Sequence, residues 1–282
     1  NAGGMQNISS GGTALNANLN NGGTQNISLG GTALSARISS GGTQNILSSG
    51  TTISAHIYSG GTQAVSQGAS VYNTNLSTGA LQAVYTGGIT SNTVISSGGI
   101  ETVSVGGTAV STLISSGGVE NILAGGTALS TFINNAGVEN VAGTALNVTI
   151  SSGGVENILE GGTAISTFIS NAGVENVAGV ALNATISSGG IENVLNGGLA
   201  QYTQISSGGK QNISSGGTAI SAIVNSGATE TVYSGGTATN ITQNSGGNVI
   251  ADVIGGDTVT KVSGNNAHGA FYLSNGLADN FI

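Results

Sequence analysis

The sequence predicts an all-β fold, a right-handed parallel β-helix (a solenoid) of about 13 coils with a 19-residue repeat. The turn motif Ile-Ser-Ser-Gly-Gly recurs along the chain, for instance at 38–42 and 95–99. A glycine turn every 8 to 11 residues leaves no room for helices. The right hand is the usual sense of a parallel crossover. An aliphatic anchor closes one strand per coil and recurs every 19 residues, or 17 in two cases: Ile8, Ile27, Ile46, Val65, Val84, Val103, Ile122, Val141, Ile158, Val177, Val194, Ile213 and Val232.

Alternation along each strand predicts which side chains face the interior. In the segment 127–133, between two turns, we expect Leu129, Thr131 and Ile133 to point inward. Their equivalents in other coils stay small or aliphatic. Ser130 and Phe132 occupy variable positions, so we expect them to face solvent.

One polar column does not fit simple alternation. Gln44 and Ile46 have the same parity, yet the first position is polar in every coil and the second is always aliphatic. We therefore predict a bend at Asn45, because Asn tolerates unusual backbone angles. Amides stacked at the Asn45 position are expected to bond from coil to coil.

The repeat predicts two regions in the chain. We assign residues 1–247 to the repeat array and 248–282 to an irregular C-terminal continuation or cap of the same β-helix, because the motif spacing decays there. The first residues already lie in the middle of a repeat unit. We therefore expect the chain to be a segment of a longer protein.

The composition excludes several classes of function. There is no Cys, so neither a disulfide framework nor a Cys-ligated metal is expected. Lys and Arg total three, which argues against binding to nucleic acid or to anionic membranes. Glycine-rich stretches such as 30–32 lack the Lys and the following helix of a phosphate loop. We expect no cofactor and no metal.

Candidate catalytic residues are sparse in this sequence. His56 and His268 are the only histidines and lie far apart in the array, so no nucleophile, base and acid can be grouped. The alternative function from another class is a β-helical polysaccharide-degrading enzyme, which would use paired carboxylates in a groove. The uniform array shows no such groove, so we assign no catalytic residues.

Six glutamates occupy the same place in successive coils, where other coils have Gln. Backbone spacing of about 4.8 Å would bring these carboxylates close together, with no Lys or Arg between 38 and 209. Repulsion should raise their pKa values and make the protein more stable in mild acid than at neutral pH. A solvent-exposed polar stripe is the simpler interpretation. The residues are Glu101, Glu120, Glu139, Glu156, Glu175 and Glu192.

Two surface features stand out from the scaffold. Serine pairs precede the second glycine turn of many coils, which ordinary turn chemistry also explains. Large apolar residues recur in one outward column and form a candidate strip for contact between copies of the chain. We call this column the apolar ridge; it comprises Val94, Leu113, Phe132, Phe168 and Ile223.

The stretch Ile-Ser-Ser-Gly-Gly-Thr-Gln-Asn-Ile at 38–46, with the Gly-Gly-Thr-Ala-Leu that accompanies it in neighbouring coils, resembles the repeat of the AIDA-type self-associating autotransporter adhesins. The resemblance covers 1–247. It implies a passenger domain, on the surface of a Gram-negative bacterium or secreted, that mediates self-association, biofilm formation and adherence to an unidentified host-cell receptor. Such a domain is not an enzyme.

The resemblance also implies a modification. Serines in short strand–loop–strand elements would carry O-linked heptose, added by a cytoplasmic heptosyltransferase that uses ADP-heptose. The loops at 20–21, 134–135 and 225–226 depart from the pattern. The matching candidates are Ser39, Ser40, Ser59, Ser96, Ser97, Ser115, Ser116, Ser151, Ser152, Ser187, Ser188, Ser206 and Ser207.

Overall fold

The computed structural model describes residues 3–252, 260–274 and 277–279. It confirms an all-strand parallel β-solenoid of about 13 turns with about 19 residues per turn, and the described residues contain no helix. The chain divides into two compact units, Asn1–Leu146 and Asn147–Ile282. Each coil contains a long, a middle and a short strand, and each strand pairs in parallel with its equivalent in the next coil of its unit.

The long strands contain the aliphatic anchors. In the first unit they are Met5–Ile8, Thr24–Ile27, Thr43–Ile46, Thr62–Val65, Leu81–Val84, Ile100–Val103, Val119–Ile122 and Val138–Val141. In the second unit they are Val155–Ile158, Val174–Val177, Ile191–Val194, Lys210–Ile213, Thr229–Tyr233 and Asn248–Asp252.

The middle strands follow the first turn of each coil. In the first unit they are Thr13–Leu15, Thr32–Leu34, Thr51–Ile53, Ser70–Tyr72, Ile89–Ser91, Thr108–Val110, Thr127–Leu129 and Thr144–Leu146. In the second unit they are Thr163–Ile165, Val180–Leu182, Leu199–Gln201 and Thr218–Ile220.

The short strands complete each coil before the second turn. In the first unit they are Asn18–Leu19, Arg37–Ile38, His56–Ile57, Asn75–Leu76, Val94–Ile95, Leu113–Ile114 and Phe132–Ile133. In the second unit they are Thr149–Ile150, Phe168–Ile169, Thr185–Ile186, Gln204–Ile205 and Ile223–Val224.

A left-handed residue separates the middle strand from the short strand. Ser130 has a φ of 60°, and its equivalents are Ser or Asn, with Tyr202 as an exception. This conformation changes the parity of the side chains, so Ala128 is buried while Leu129 is half-exposed. The prediction that Leu129 faces inward was therefore wrong. The predictions for Thr131 and Ile133 inside and Phe132 outside are confirmed.

The predicted bend at Asn45 is also wrong. Asn45 lies within a regular strand, where Gln44 and Ile46 are both fully buried and Asn45 is half-exposed. Simple alternation holds because the interior accepts a polar column. The predicted amide stack is confirmed, since Asn45 Nδ2 donates to Asn26 Oδ1 at 2.8 Å and Asn26 Nδ2 to Asn7 Oδ1 at 2.9 Å.

Close packing of coils explains the second glycine of most turns, where Ala69, Ala80 and Ala228 are the exceptions. A Cβ added to Gly42 would lie 2.2 Å from the carbonyl oxygen of Leu19 in the preceding coil. A side chain at Gly42 would force the two backbones apart, so glycine allows their close approach at this point. The core between them consists of small and branched aliphatic side chains such as Ile27 and Ala33, both fully buried.

Parallel pairing continues past the last repeat motif. Asn248–Asp252 pairs in register with Thr229–Tyr233. The strand Thr237–Gln243 pairs in parallel with Lys261–Asn266, with a register shift between Ala238 and Ile241. Lys261–Asn266 then pairs antiparallel with Gly269–Ser274, which pairs antiparallel with Leu277–Asp279.

Candidate functional site

The candidate serines lie in tight β-turns between a short strand and the next long strand. At 39–42 the amide of Gly42 donates to the carbonyl of Ser39 at 2.8 Å. Ser40 and Gly41 have φ angles of 48° and 81°, so both central residues are left-handed, as in a type I′ turn. This turn changes the direction of the chain within four residues and places Ser40 at its tip.

Exposure divides each serine pair. The first serine is half-buried in all six pairs, whereas the second is exposed, and so is the unpaired Ser59. The half-buried set is Ser39, Ser96, Ser115, Ser151, Ser187 and Ser206. The exposed set is Ser40, Ser97, Ser116, Ser152, Ser188 and Ser207.

The apolar ridge lies on the outer side of the short strands. In the first unit Val94 pairs with Leu113, and Leu113 with Phe132, so their side chains form one ladder. Phe132 is 53% exposed, while Val94 and Leu113 are half-buried. In the second unit Phe168 is 42% exposed and Ile223 is half-buried, with the polar residues Thr185 and Gln204 between them.

A second apolar ladder was not predicted. Because Ser130 and its equivalents change the parity, the third residue of each middle strand points outward. In the first unit this outer ladder is mostly apolar and half-exposed or exposed. Its members are Leu15, Leu34, Ile53, Tyr72, Ser91, Val110, Leu129 and Leu146.

The polar column of the long strands lies inside the solenoid. Its glutamines bond in a continuous ladder in the first unit, in which each Nε2 donates to the Oε1 of the preceding coil. The distance is 2.7 Å from Gln44 to Gln25 and 2.6 Å from Gln63 to Gln44. Each of these side chains is fully buried. The ladder satisfies amide groups that would otherwise be costly to remove from water.

The glutamates continue the same column and are fully buried, which overturns the interpretation as a solvent-exposed stripe. The predicted register is confirmed: Glu101 pairs with Glu120 and Glu120 with Glu139 in the first unit. In the second unit Glu156 pairs with Glu175 and Glu175 with Glu192. Among the described residues, Glu230 is a seventh fully buried glutamate.

Threonine hydroxyls contact these buried acids from the other two faces of the coil. Thr90 donates to Glu101 Oε1 at 2.7 Å. The Thr112 hydroxyl lies 3.4 Å from Glu101 Oε2 and 3.2 Å from Glu120 Oε1, so it can donate to one of them at a time. In the second unit Gln211 Nε2 donates to Glu192 Oε2 at 2.5 Å. All these partners are uncharged.

Burial raises the pKa of six of these carboxyls, those of Glu101, Glu120, Glu156, Glu175, Glu192 and Glu230. Loss of hydration raises the pKa of Glu101 to about 7 and that of Glu156 to about 8. For Glu120 and Glu175, burial is again the largest cause, and repulsion from the neighbouring glutamates raises the pKa further. The interior therefore favours neutral carboxylic acids, which can donate hydrogen bonds as well as accept them.

The described surface brings no catalytic group together. His56 stacks on Tyr58, and its ring nitrogens lie 3.2 Å from Asn75 Nδ2 and 3.3 Å from the carbonyl oxygen of Ser54. His268 lines a cleft of about 330 Å³ with residues 243–248, 266 and 267. In the part of the chain that the structure describes, no cluster of His, Cys, Asp or Glu could hold a metal ion. The glutamates that share one column are inside, where a polysaccharide could not reach them.

Within the described ranges, no helix is long and apolar enough to cross a membrane. The regular coils and repeated polar turns define the protein as a parallel β-solenoid with two tight turns per coil. Residues 192–247 match a family described as "Adhesin of bacterial autotransporter system, probable stalk". A search of curated protein sequences finds no match.

Among solved structures, the chain is similar to a crystal structure of a TibC-catalysed, hyper-glycosylated fragment of TibA. The two are 36% identical with a TM-score of 0.87, and the match covers 88% of this chain and 93% of that chain. The chain belongs to the AIDA-type autotransporter adhesins, as a passenger domain similar to that of TibA.

Proposed function

We propose that this chain is a non-enzymatic adhesin passenger at the surface of a Gram-negative bacterium. It mediates self-association, biofilm formation and adherence to host cells, and its repeat turns carry O-linked heptose on serine. The observation that carries the proposal is the array of serine turns. They present one exposed hydroxyl per coil in many coils.

The similarity to a glycosylated fragment supports the modification. TibA was glycosylated by TibC, and this chain has a comparable solenoid. A transferase acting on these turns would meet the same strand–turn–strand element many times. The transferase would be a partner that modifies this chain, a heptosyltransferase that uses an activated heptose.

The exposed aromatic rings support self-association. The rings of Phe132 and Phe168 project outward from the short strands and are not part of the packed interior. Aromatic residues at the centre of a contact surface contribute strongly to binding because they bury a large area with few rotatable bonds. We infer that the apolar ridge contributes to contact between copies on neighbouring cells.

The test measures mass and aggregation in the same strains. The protein is expressed with and without TibC, and its intact mass is compared. Added masses of heptose that disappear in a variant with the exposed serines changed to Ala are the expected result. Settling of expressing bacteria reports self-association. An unchanged mass in the presence of an active transferase contradicts the modification, and release of reducing sugar from polysaccharides by the purified protein contradicts a purely adhesive role.

A further inference from the structure

Identical pentapeptides adopt two turn conformations in this molecule. The sequence Ile-Ser-Ser-Gly-Gly occurs at 38–42 and again at 205–209. Ser40 has a φ of 48°, whereas Ser207 lacks a positive φ. Both turns close with the same hydrogen bond at 2.8 Å, from the amide of the last glycine to the carbonyl of the first serine. The difference therefore lies in the conformation of the second serine.

The serines at the second position of the tight turns, including Ser10, Ser48 and Ser215 in turns between a long and a middle strand, fall into two groups by this criterion. We call the turns whose second residue is a left-handed serine "left-handed serine turns"; the exposed serines at that position have φ angles from 45° to 53°. They are Ser10, Ser40, Ser97, Ser116, Ser152 and Ser188. The exposed serines at the same turn position without a positive φ are Ser48, Ser59, Ser207, Ser215, Ser226 and Ser245.

The direction of the hydroxyl differs between the two groups. A Cβ placed on Gly227, in the coil after Ser207, would lie 2.8 Å from Ser207 Oγ. The hydroxyl of Ser207 therefore leans along the stack, over the next turn. Ser215 behaves alike, with its Oγ 2.4 Å from a Cβ placed on Gly235, and Ser59 more weakly, at 3.4 Å from one on Gly79.

Left-handed serine turns leave the hydroxyl clear of the next coil. A Cβ placed on Gly117, in the coil after Ser97, has no neighbour within 4 Å. In the coil after Ser188, the three nearest atoms to a Cβ on Gly208 all belong to the backbone, the closest at 3.3 Å. The Oγ of this group is therefore not directed at the following turn, and a substituent on it meets solvent.

The first serine of each pair is less suited to modification. Its position lies at the start of the turn, and side chains there bond backward to the preceding coil. Ser77 Oγ donates to Ile57 O at 3.2 Å, Ser96 Oγ to Leu76 O at 3.5 Å, and Asn225 Nδ2 to Ile205 O at 3.1 Å. Together with half-burial, this leaves the second serine as the accessible nucleophile.

We propose that the acceptor hydroxyls are the second serines of the left-handed serine turns, including Ser10 in a first turn, and that Ser59, Ser207 and Ser215 are poor acceptors. This inference rests on the proposed modification of the chain. In the reaction, the serine Oγ forms a bond to the anomeric carbon of a nucleotide-activated sugar. The bond from that carbon to the diphosphate oxygen breaks, the nucleoside diphosphate leaves, and a base of the transferase takes the serine proton.

The identical pentapeptides make the test sharp. The folded protein, expressed without transferase, is incubated with TibC and ADP-heptose, and site occupancy is followed by peptide mass spectrometry. We expect Ser40 and Ser188 to be modified at least tenfold faster than Ser207, although all three follow Ile-Ser and precede Gly-Gly. Ser10 should be modified at the rate of Ser40.

Two controls separate conformation from local sequence. Lys210 follows the slow turn where Thr43 follows the fast one, so the variant Lys210→Thr removes this difference, and Ser207 should stay slow. Synthetic peptides spanning 38–46 and 205–213 lack the coil and should react at equal rates. Circular dichroism confirms that the variant is folded.

Each outcome has one meaning. Equal rates at Ser40 and Ser207 in the folded protein overturn the selection by turn conformation and leave the proposed function standing. A Ser207 that becomes fast in Lys210→Thr assigns the difference to charge and also overturns it. Absence of sugar at every serine overturns the proposed modification itself, and this inference with it.

Discussion

Replacement of Glu230 by Gln should stabilise the protein in a pH-dependent way. Glu230 is fully buried, and neither of its carboxyl oxygens has a hydrogen-bond partner. Burial raises its pKa from 4.5 to about 8, with repulsion from Glu192 as a smaller cause. The folded protein therefore binds a proton that the unfolded chain releases above pH 4.5. The part of the unfolding free energy that depends on Glu230 is therefore largest below pH 4.5, and it is lost as the pH rises toward 8.

The magnitude follows from this difference in pKa. At about 1.4 kcal/mol per pH unit, keeping Glu230 neutral lowers the free energy of unfolding by roughly 3 kcal/mol at pH 7. At pH 5 the same effect is roughly 1 kcal/mol. The amide that replaces the carboxyl of Glu230 would also reach Gln211 Oε1, a buried oxygen without a partner, and so extend the amide ladder. That hydrogen bond adds about 1 kcal/mol at both pH values.

Urea unfolding of Glu230→Gln and the parent protein at pH 5 and pH 7 measures the effect. We expect a gain of about 4 kcal/mol at pH 7 and about 2 kcal/mol at pH 5. Glu160→Gln is the matched control, because Glu160 is exposed and the same substitution should change stability by less than about 0.5 kcal/mol at either pH. A gain that is the same at both pH values, or a loss at pH 7, would refute the burial of this carboxyl.

Three further variants test other features. Phe132→Ser together with Phe168→Ser should slow the settling of expressing bacteria without lowering the melting temperature, since both rings are exposed; unchanged settling would assign self-association to another surface. Ala136→Gly should raise the free energy of urea unfolding by about 1 kcal/mol, because Ala136 has a φ of 61° where other coils have Gly; a loss would contradict that strain. Asn26→Ala should lower it by about 1–2 kcal/mol, because Asn26 bonds to Asn7 and Asn45; no loss would mean that water replaces the ladder.

The coil could be predicted from the sequence because the repeat length determines the number of residues per coil. Spacing of the anchors determined which residues pair, and the pairing of Glu101 with Glu120 followed directly. Periodicity alone could not predict which side chains point inward on both sides of a residue with positive φ, because such a residue interrupts the alternation. Leu129 was therefore placed inside, although a Ser or Asn recurring at the Ser130 position was a usable signal for a left-handed bend.

Burial of the acidic column was harder to foresee. Carboxylates are rarely buried without a cation, so an exposed stripe was the natural expectation. A signal was present, because only Gln and Glu occupy this column from Gln6 to Glu230, while outward columns vary freely. The conformation of the serine turns, in contrast, could not be predicted from local sequence. The pentapeptides at 38–42 and 205–209 are identical, and only the coils around them differ.

The neutral interior acids make the net charge of the folded protein less negative than its composition suggests. The formal net charge of −8 counts every glutamate as ionised. Six of them have raised pKa values, and their neutralisation alone changes the formal net charge from −8 to −2, with both histidines counted as neutral. Unfolding would release those protons, so the folded form should focus at a higher pH than the 4.3 expected from composition. Surfaces with so little charge repel one another weakly, so copies of the protein can approach to contact distance even at low ionic strength.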